Sequence, residues 1–251
     1  MLDLTVLGCA GSHPGVGRAC SGYLVRAGET NLLVDAGNGS TANLQRLVAL
    51  HDLDAIVVSH RHVDHCIDLI GAFYALRFDP QVERRIPLYA PPEVFETLTG
   101  LMSGDSAMEF AEVFDHHLVG HDDRITVGEV ALTFARANHP PPSVSVRLEA
   151  AGRTIVYSGD TGGSPELVDL ARGADLLLCE ATWAGEPADH LPDLHLTGRE
   201  AGRIAQDAGV GMLVLTHLAG ATDREQVLAE ARETFGGPVE LAEDLRSYLL
   251  V

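Results

Sequence analysis

The sequence is poor in positive charge, in cysteine and in long apolar runs. Lys and Arg together number 17 against 36 Asp and Glu, giving a net charge of −19. That balance opposes loose, charge-driven binding to nucleic acid, because a polyanion would meet a polyanion, but it leaves room for one phosphate held at a cationic pocket. No stretch approaches the roughly 18 uncharged apolar residues of a membrane span. The opening Met1-Leu2-Asp3-Leu4-Thr5-Val6-Leu7-Gly8 has no basic flank, is too short for a signal peptide and reads as a first strand, so a cytoplasmic protein is expected. The four cysteines, Cys9, Cys20, Cys66 and Cys179, form no C-x-x-C pair and read as free thiols of a reducing compartment. Linkers, low-complexity runs and short-period repeats are also missing, which leaves one domain over residues 1–251 as the expectation.

What is present is a globular composition, 46% hydrophobic and 21% charged, with Gly and Pro spread evenly. Short apolar or alternating runs predict strands at Leu2–Leu7, Tyr23–Arg26, Asn31–Asp35, Ala55–Ser59 and Ile86–Ala90. The second half adds Val130–Arg136, Ser143–Leu148, Thr154–Ser158, Asp175–Cys179 and Met212–Thr216. Helical spacing predicts helices at Thr41–Leu50, Ile67–Leu76, after Pro91-Pro92, and at Ser164–Arg172, Thr197–Ala208 and Asp223–Phe235. Thr197 and Glu200 form a capping box and Gly209 a C-terminal stop. The stretch Ala107–Asp123 is ambiguous. Strand-rich segments followed by strand–helix pairs occur in both halves, which suggests two packed sheets with helices outside.

Of the 12 histidines, half form a pattern. Ser59-His60-Arg61-His62-Val63-Asp64-His65 contains H-x-H-x-D-H directly after a buried strand. Two His at i and i+2 point the same way only on extended backbone, so a strand-end loop is expected, presenting two imidazoles to one ion. Asp64 and His65 then turn toward a neighbouring position. Imidazole with carboxylate suits zinc, manganese or iron, and four such groups in six residues can seed two metals. His139, Asp160 and His217 each follow another strand, and ligands at the ends of adjacent strands converge.

This ordered set resembles the metallo-β-lactamase-fold hydrolases over nearly the whole chain. The resemblance implies an α/β fold, a four-layer αββα sandwich with the site at one edge. It also implies that His60, His62 and His139 hold a first metal, that Asp64, His65 and His217 hold a second, and that Asp160 bridges both. Two divalent ions, zinc or manganese, are the implied cofactors. A finer resemblance, to the ribonuclease Z and cyclic-nucleotide phosphodiesterase branch, is carried by Gly8-Cys9-Ala10-Gly11-Ser12, Cys179-Glu180-Ala181-Thr182 and His195-Leu196-Thr197. It implies that His195 contacts the scissile phosphate with Glu180 as its partner, and that a metal-bridging hydroxide attacks phosphorus with Asp64 orienting it.

The implied function is therefore a metal-dependent phosphodiesterase on a small phosphodiester, a cyclic nucleotide being one case. The alternatives are a ribonuclease Z-like tRNA 3′-end endonuclease and a lactone or thioester hydrolase. Bacterial ribonuclease Z carries a tRNA-gripping arm between the equivalents of His139 and Asp160. Here that interval holds only strand, Gly turn and strand, which disfavours tRNA as a partner. β-Lactam cleavage is disfavoured by the H-x-T and E-A-T features, and a non-enzymatic scaffold by the complete ligand set. Members of the family are often dimers, so a homodimer is an implied assembly. Gly8 to Ser12 reads equally as a phosphate nest or a tight turn, with Ser12 and His13 near the pocket. His51, His116, His117, His121 and His190 read as surface or loop residues, and Cys66 as a packed small side chain.

Overall fold

A computed structural model describes residues 1–82 and 84–251. The chain opens with strands β1 (Leu2–Gly8), β2 (Ala10–Gly11), β3 (Gly22–Ala27), β4 (Thr30–Ala36), β5 (Ala55–Val57), β6 (Ile86–Ala90) and β7 (Phe114–Leu118). Interleaved with them are helices α1 (Ser40–Leu44), α2 (Val63–Cys66), α3 (Asp68–Arg77), α4 (Val94–Gly100) and α5 (Gly104–Val113). The second half supplies β8 (Arg124–Val127), β9 (Val130–Arg136), β10 (Val144–Ala150), β11 (Arg153–Tyr157), β12 (Leu176–Glu180), β13 (Leu213–Thr216), β14 (Leu218–Ala219), β15 (Val239–Leu241) and β16 (Ser247–Leu250). Its helices are α6 (Pro165–Ala171), α7 (Gly198–Ala208) and α8 (Arg224–Thr234).

These strands form two seven-stranded sheets, in the orders β16-β1-β3-β4-β5-β6-β7 and β15-β13-β12-β11-β10-β9-β8, and β2 pairs with β14 in a small third one. Each large sheet is antiparallel through its hairpins and parallel where helices connect the strands. Side chains on a strand alternate between faces, and that alternation builds the layers. On β4, Leu32 and Val34 enter the core between the sheets while Leu33 packs under the helices of the first half. On β12, Leu176 and Leu178 enter the same central core while Leu177 and Cys179 meet α7 and α8. The result is the expected four-layer αββα sandwich.

The differences from the sequence reading are local. The helix expected over residues 41–50 ends at Leu44 and gives way to turns and one 3-10 turn at Leu50–Asp52. The helix expected at residues 67–76 runs over 68–77 and is preceded by the separate turn α2. Within the ambiguous stretch, α5 runs directly into β7. The capping box of α7 is formed, with Thr197 N donating to Glu200 at 2.9 Å, and Gly209 closes the helix at φ 65°.

Candidate metal centre

The site lies where strand ends of both sheets meet. The H-x-H-x-D-H segment is extended only through His62. The His65 amide donates to the His62 carbonyl at 2.9 Å, so Asp64 and His65 ride on the helical turn α2 rather than on the expected loop. The turn swings Asp64 and His65 away from His60 and His62, and one six-residue segment thereby serves two positions. His139 comes from the loop after β9, Asp160 from the loop after β11, and His217 from the step between β13 and β14. Gly159, at φ 59°, makes the turn that aims Asp160, and a Cβ there would lie 2.8 Å from the Val144 carbonyl. A side chain at Gly11 would likewise strike the His217 ring.

All seven expected ligand residues converge. His62 Nδ1 lies 3.0 Å from His60 Nε2 and 3.2 Å from His139 Nε2, and His60 Nε2 is 3.6 Å from Asp160 Oδ2. Beside this group, His217 Nε2 is 3.2 Å from Asp64 Oδ2, and His65 Nε2 is 3.6 Å from the same oxygen. Asp160 Oδ1 completes the second group at 3.2 Å from His65 Nε2 and 3.4 Å from His217 Nε2. The two oxygens of Asp160 thus face different groups.

The outer nitrogens set the tautomers. His139 Nδ1 donates to the Leu194 carbonyl at 2.9 Å and His65 Nδ1 to Asp35 at 2.8 Å. The Ser59 hydroxyl donates to Asp35, so it accepts from His60 Nδ1 at 3.1 Å. The Thr182 hydroxyl donates to Glu180, so it accepts from His217 Nδ1 at 2.8 Å. Four Nε2 lone pairs therefore face inward beside two carboxylates. His65 Nε2 and Asp160 Oδ1 are buried there without a hydrogen-bond partner. Converging lone pairs and orphaned buried polar atoms are costly unless a cation sits among them, so the residues present fit two divalent ions.

Protonation follows the same logic. Burial holds His60, His62 and His139 below the ordinary imidazole range, in the neutral form a ligand needs. Burial also works against charge on His65, but the Asp160 and Asp35 carboxylates outweigh it and raise its affinity for a proton. Burial favours protonated Asp160, yet His217 and His65 keep its carboxyl well below the usual range.

His195 stands at the edge of this cluster. Its Nδ1 lies 2.9 Å from Glu180 Oε1 and 3.9 Å from Asp160 Oδ2. Glu180 is fully buried and also accepts from the Thr161, Thr182 and Leu196 amides. Burial lowers the His195 pKa, the Glu180 carboxylate more than offsets this, and the net value rises to about 9. The Glu180 carboxylate thus favours the protonated form of His195.

Several roles correct or extend the sequence reading. The Ser12 amide donates to Asp64 at 2.8 Å, so the turn supports a site carboxylate instead of forming a free nest. Ser12 does line the cavity over the cluster, whereas His13 bonds the Pro14 carbonyl. His190 lies in a loop, as expected, and stacks there on Trp183 at 4.6 Å; Trp183 in turn meets His195. Cys66 is buried, with its thiol near the His62 carbonyl. Asp35 and Thr182 had no assigned role, yet they orient His65 and His217. Their signals were an Asp closing an apolar strand and a Thr two residues after Glu180.

The description "Beta-lactamase superfamily domain" matches residues 30–218. The chain belongs to the β-lactamase superfamily. An uncharacterized protein of Mycobacterium tuberculosis is 40% identical over 94% of this chain and 88% of its own length. A ribonuclease Z of Myxococcus xanthus is 33% identical over 97% of this chain and 96% of its own. The crystal structure of YhfI from Bacillus subtilis, a metallo-β-lactamase fold protein, superposes with a TM-score of 0.88 at 28% identity, covering 99% of this chain and 100% of that one. Superfamily membership and the histidine–aspartate cluster together make the chain a metallo-hydrolase.

Proposed function

We propose that this metallo-hydrolase is a dinuclear phosphodiesterase acting on small phosphodiesters, cyclic nucleotides included. The observation that carries the reading is the His195 imidazole, held by buried Glu180 at 2.9 Å beside the candidate ligand cluster. His60, His62, His139 and Asp160 would hold one ion; Asp64, His65, His217 and Asp160 the other. When bound, two such ions supply Lewis acidity for the phosphoryl oxygens and make water a competent nucleophile at neutral pH.

The chain's own residues do the rest. Asp64, fixed by the Ser12 amide and facing His217, orients the attacking water. His195 places a positive charge and a proton where the equatorial and leaving oxygens gain charge. Glu180 holds the His195 ring in one orientation and keeps its proton in place. The cavity over the cluster, about 390 Å³, suits a small ester.

Replacing His195 by Ala is the direct test. Turnover of bis(p-nitrophenyl) phosphate should fall by roughly 10²–10⁴-fold, the usual worth of a positioned acid, with metal content unchanged. Full turnover with both metals bound would remove His195 from the chemistry.

A second reading, a tRNA 3′-end endonuclease, is favoured by the relative named ribonuclease Z. The β10–β11 hairpin, which fills the interval between His139 and Asp160, and the net charge of −19 weigh against it. Cleavage of precursor tRNA at nanomolar enzyme would reinstate it.

A further inference from the structure

His195 separates two spaces. On one side is the cavity over the cluster, bordered by Ser12, Arg61 and Thr97. On the other is a second cavity of about 390 Å³, walled by Trp183, Pro187, Leu191 and Pro192, which also touches His195. Trp183 is the single tryptophan of the chain. Its ring meets that of His195 at 5.3 Å and 89°, and stacks on His190 at 13°. His190 is fixed in place by a 2.9 Å bond from Nε2 to the Ala184 carbonyl. The Trp183 amide donates to the Leu196 carbonyl at 3.1 Å, which ties this wall to the segment carrying His195. Two prolines and a stacked ring pair leave few torsions to freeze, so a flat apolar group would meet a small ordering cost here. The acidic groups at its rim are engaged: Asp193 accepts from Asn138 at 2.9 Å, and Glu200 closes the capping box. Among the described residues no Arg lines it, so the cavity offers no cationic side chain other than His195 to a second anionic group.

We propose that this cavity is the leaving-group subsite, taking the uncharged planar part of the departing alcohol, such as a nucleobase. The proposal rests on the phosphodiester reading above. His195 borders both cavities, so a group leaving the cluster past His195 enters this one. The step balances: a water oxygen forms its bond to phosphorus while the bond from phosphorus to the departing oxygen breaks. The electron pair stays on that oxygen, which takes the His195 proton, and the proton lost by the water restores His195. Trp183 touches the departing group and sets specificity.

Two measurements test this on the metal-loaded, full-length protein. Trp183 is the sole tryptophan, so all tryptophan fluorescence arises at the wall of this cavity. AMP should quench it saturably, with half-saturation about tenfold below that of ribose 5-phosphate, the worth of one stacking contact. The second measurement compares Trp183→Ala and Trp183→Phe with wild type on bis(p-nitrophenyl) phosphate and methyl p-nitrophenyl phosphate. Both substrates expel p-nitrophenol, so Trp183→Ala should raise KM about tenfold for both, with kcat moving much less and Trp183→Phe close to wild type. A KM effect on bis(p-nitrophenyl) phosphate alone would put Trp183 on the retained side and overturn the assignment. Unchanged KM for both diesters, with equal quenching by AMP and ribose 5-phosphate, would overturn the subsite altogether. Absence of diester turnover in wild type would instead defeat the phosphodiester reading, and the fluorescence titration would still decide whether the cavity takes a planar group.

Discussion

At the scale of single residues, the account turns on how each candidate ligand is held from behind. Asp35 is fully buried, sits at φ 56° and holds both Ser59 and His65. His217 also adopts a left-handed backbone, at φ 54°. Non-glycine residues in that region carry strain that surrounding contacts must over-determine, and here both belong to the site. Asp35→Asn removes the carboxylate that orients His65, so metal affinity should drop about 10–100-fold, measured by competition with a chromogenic chelator. An unchanged affinity would mean that His65 does not ligate. The raised pKa of His195 gives a second prediction. Its ordinary value is 6.5 and its folded value about 9, so the acid form persists through neutral pH and is lost as pH rises through about 9. The kcat profile should fall above that point in wild type, and His195→Ala should lack this limb. The clustering of the H-x-H-x-D-H side chains was legible because these His and Asp stand within six residues of one another after a buried strand. Asp35 and Thr182 were not, because they act only through a fold that brings distant strand ends together.

At the scale of elements, periodicity found the strands that are buried on both faces and α7 with its caps. It failed where two elements abut without punctuation, as α5 does with β7, and where a helical turn of only four residues, α2, carries Asp64 and His65. Such a turn is too short to show a period. The capping box of α7 has a consequence beyond helix stability, because Thr197 lies two residues after His195. Thr197→Ala should cost about 0.5–2 kcal/mol in urea unfolding and also lower turnover by loosening the His195 segment. A stability loss with full turnover would separate the cap from the site. The strands also bury the thiols. Burial pushes Cys9, Cys20 and Cys66 up to about 12, and Cys179 higher still. The native protein at pH 8 should therefore be inert to thiol reagents, and unfolding should release all four cysteines.

At the scale of the whole molecule, the order of strands was not legible. The last strand, β16, crosses back to pair with β1, and β14 pairs with β2 beside His217, so the two ends of the chain close the first sheet and the site. These pairings join residues far apart in sequence, and no local pattern announces them. The candidate ligands come from both halves, so metal bound there should fasten the halves together. At a thousandfold excess over Kd, an ion that binds only the folded state adds about 4 kcal/mol, which for a chain of this length corresponds to roughly 8–16 °C in Tm. Removal of metal by chelator should lower Tm by that order.

The central claim is dinuclear phosphodiester hydrolysis. It is tested most directly by assaying metal-quantified protein on bis(p-nitrophenyl) phosphate and 3′,5′-cyclic AMP, with zinc or manganese, for wild type and Asp64→Ala. The account predicts about two ions per chain in wild type, turnover of the diesters, and loss of both turnover and one ion in Asp64→Ala. Two bound ions with no turnover of either diester, together with hydrolysis of a lactone or thioester, would contradict it.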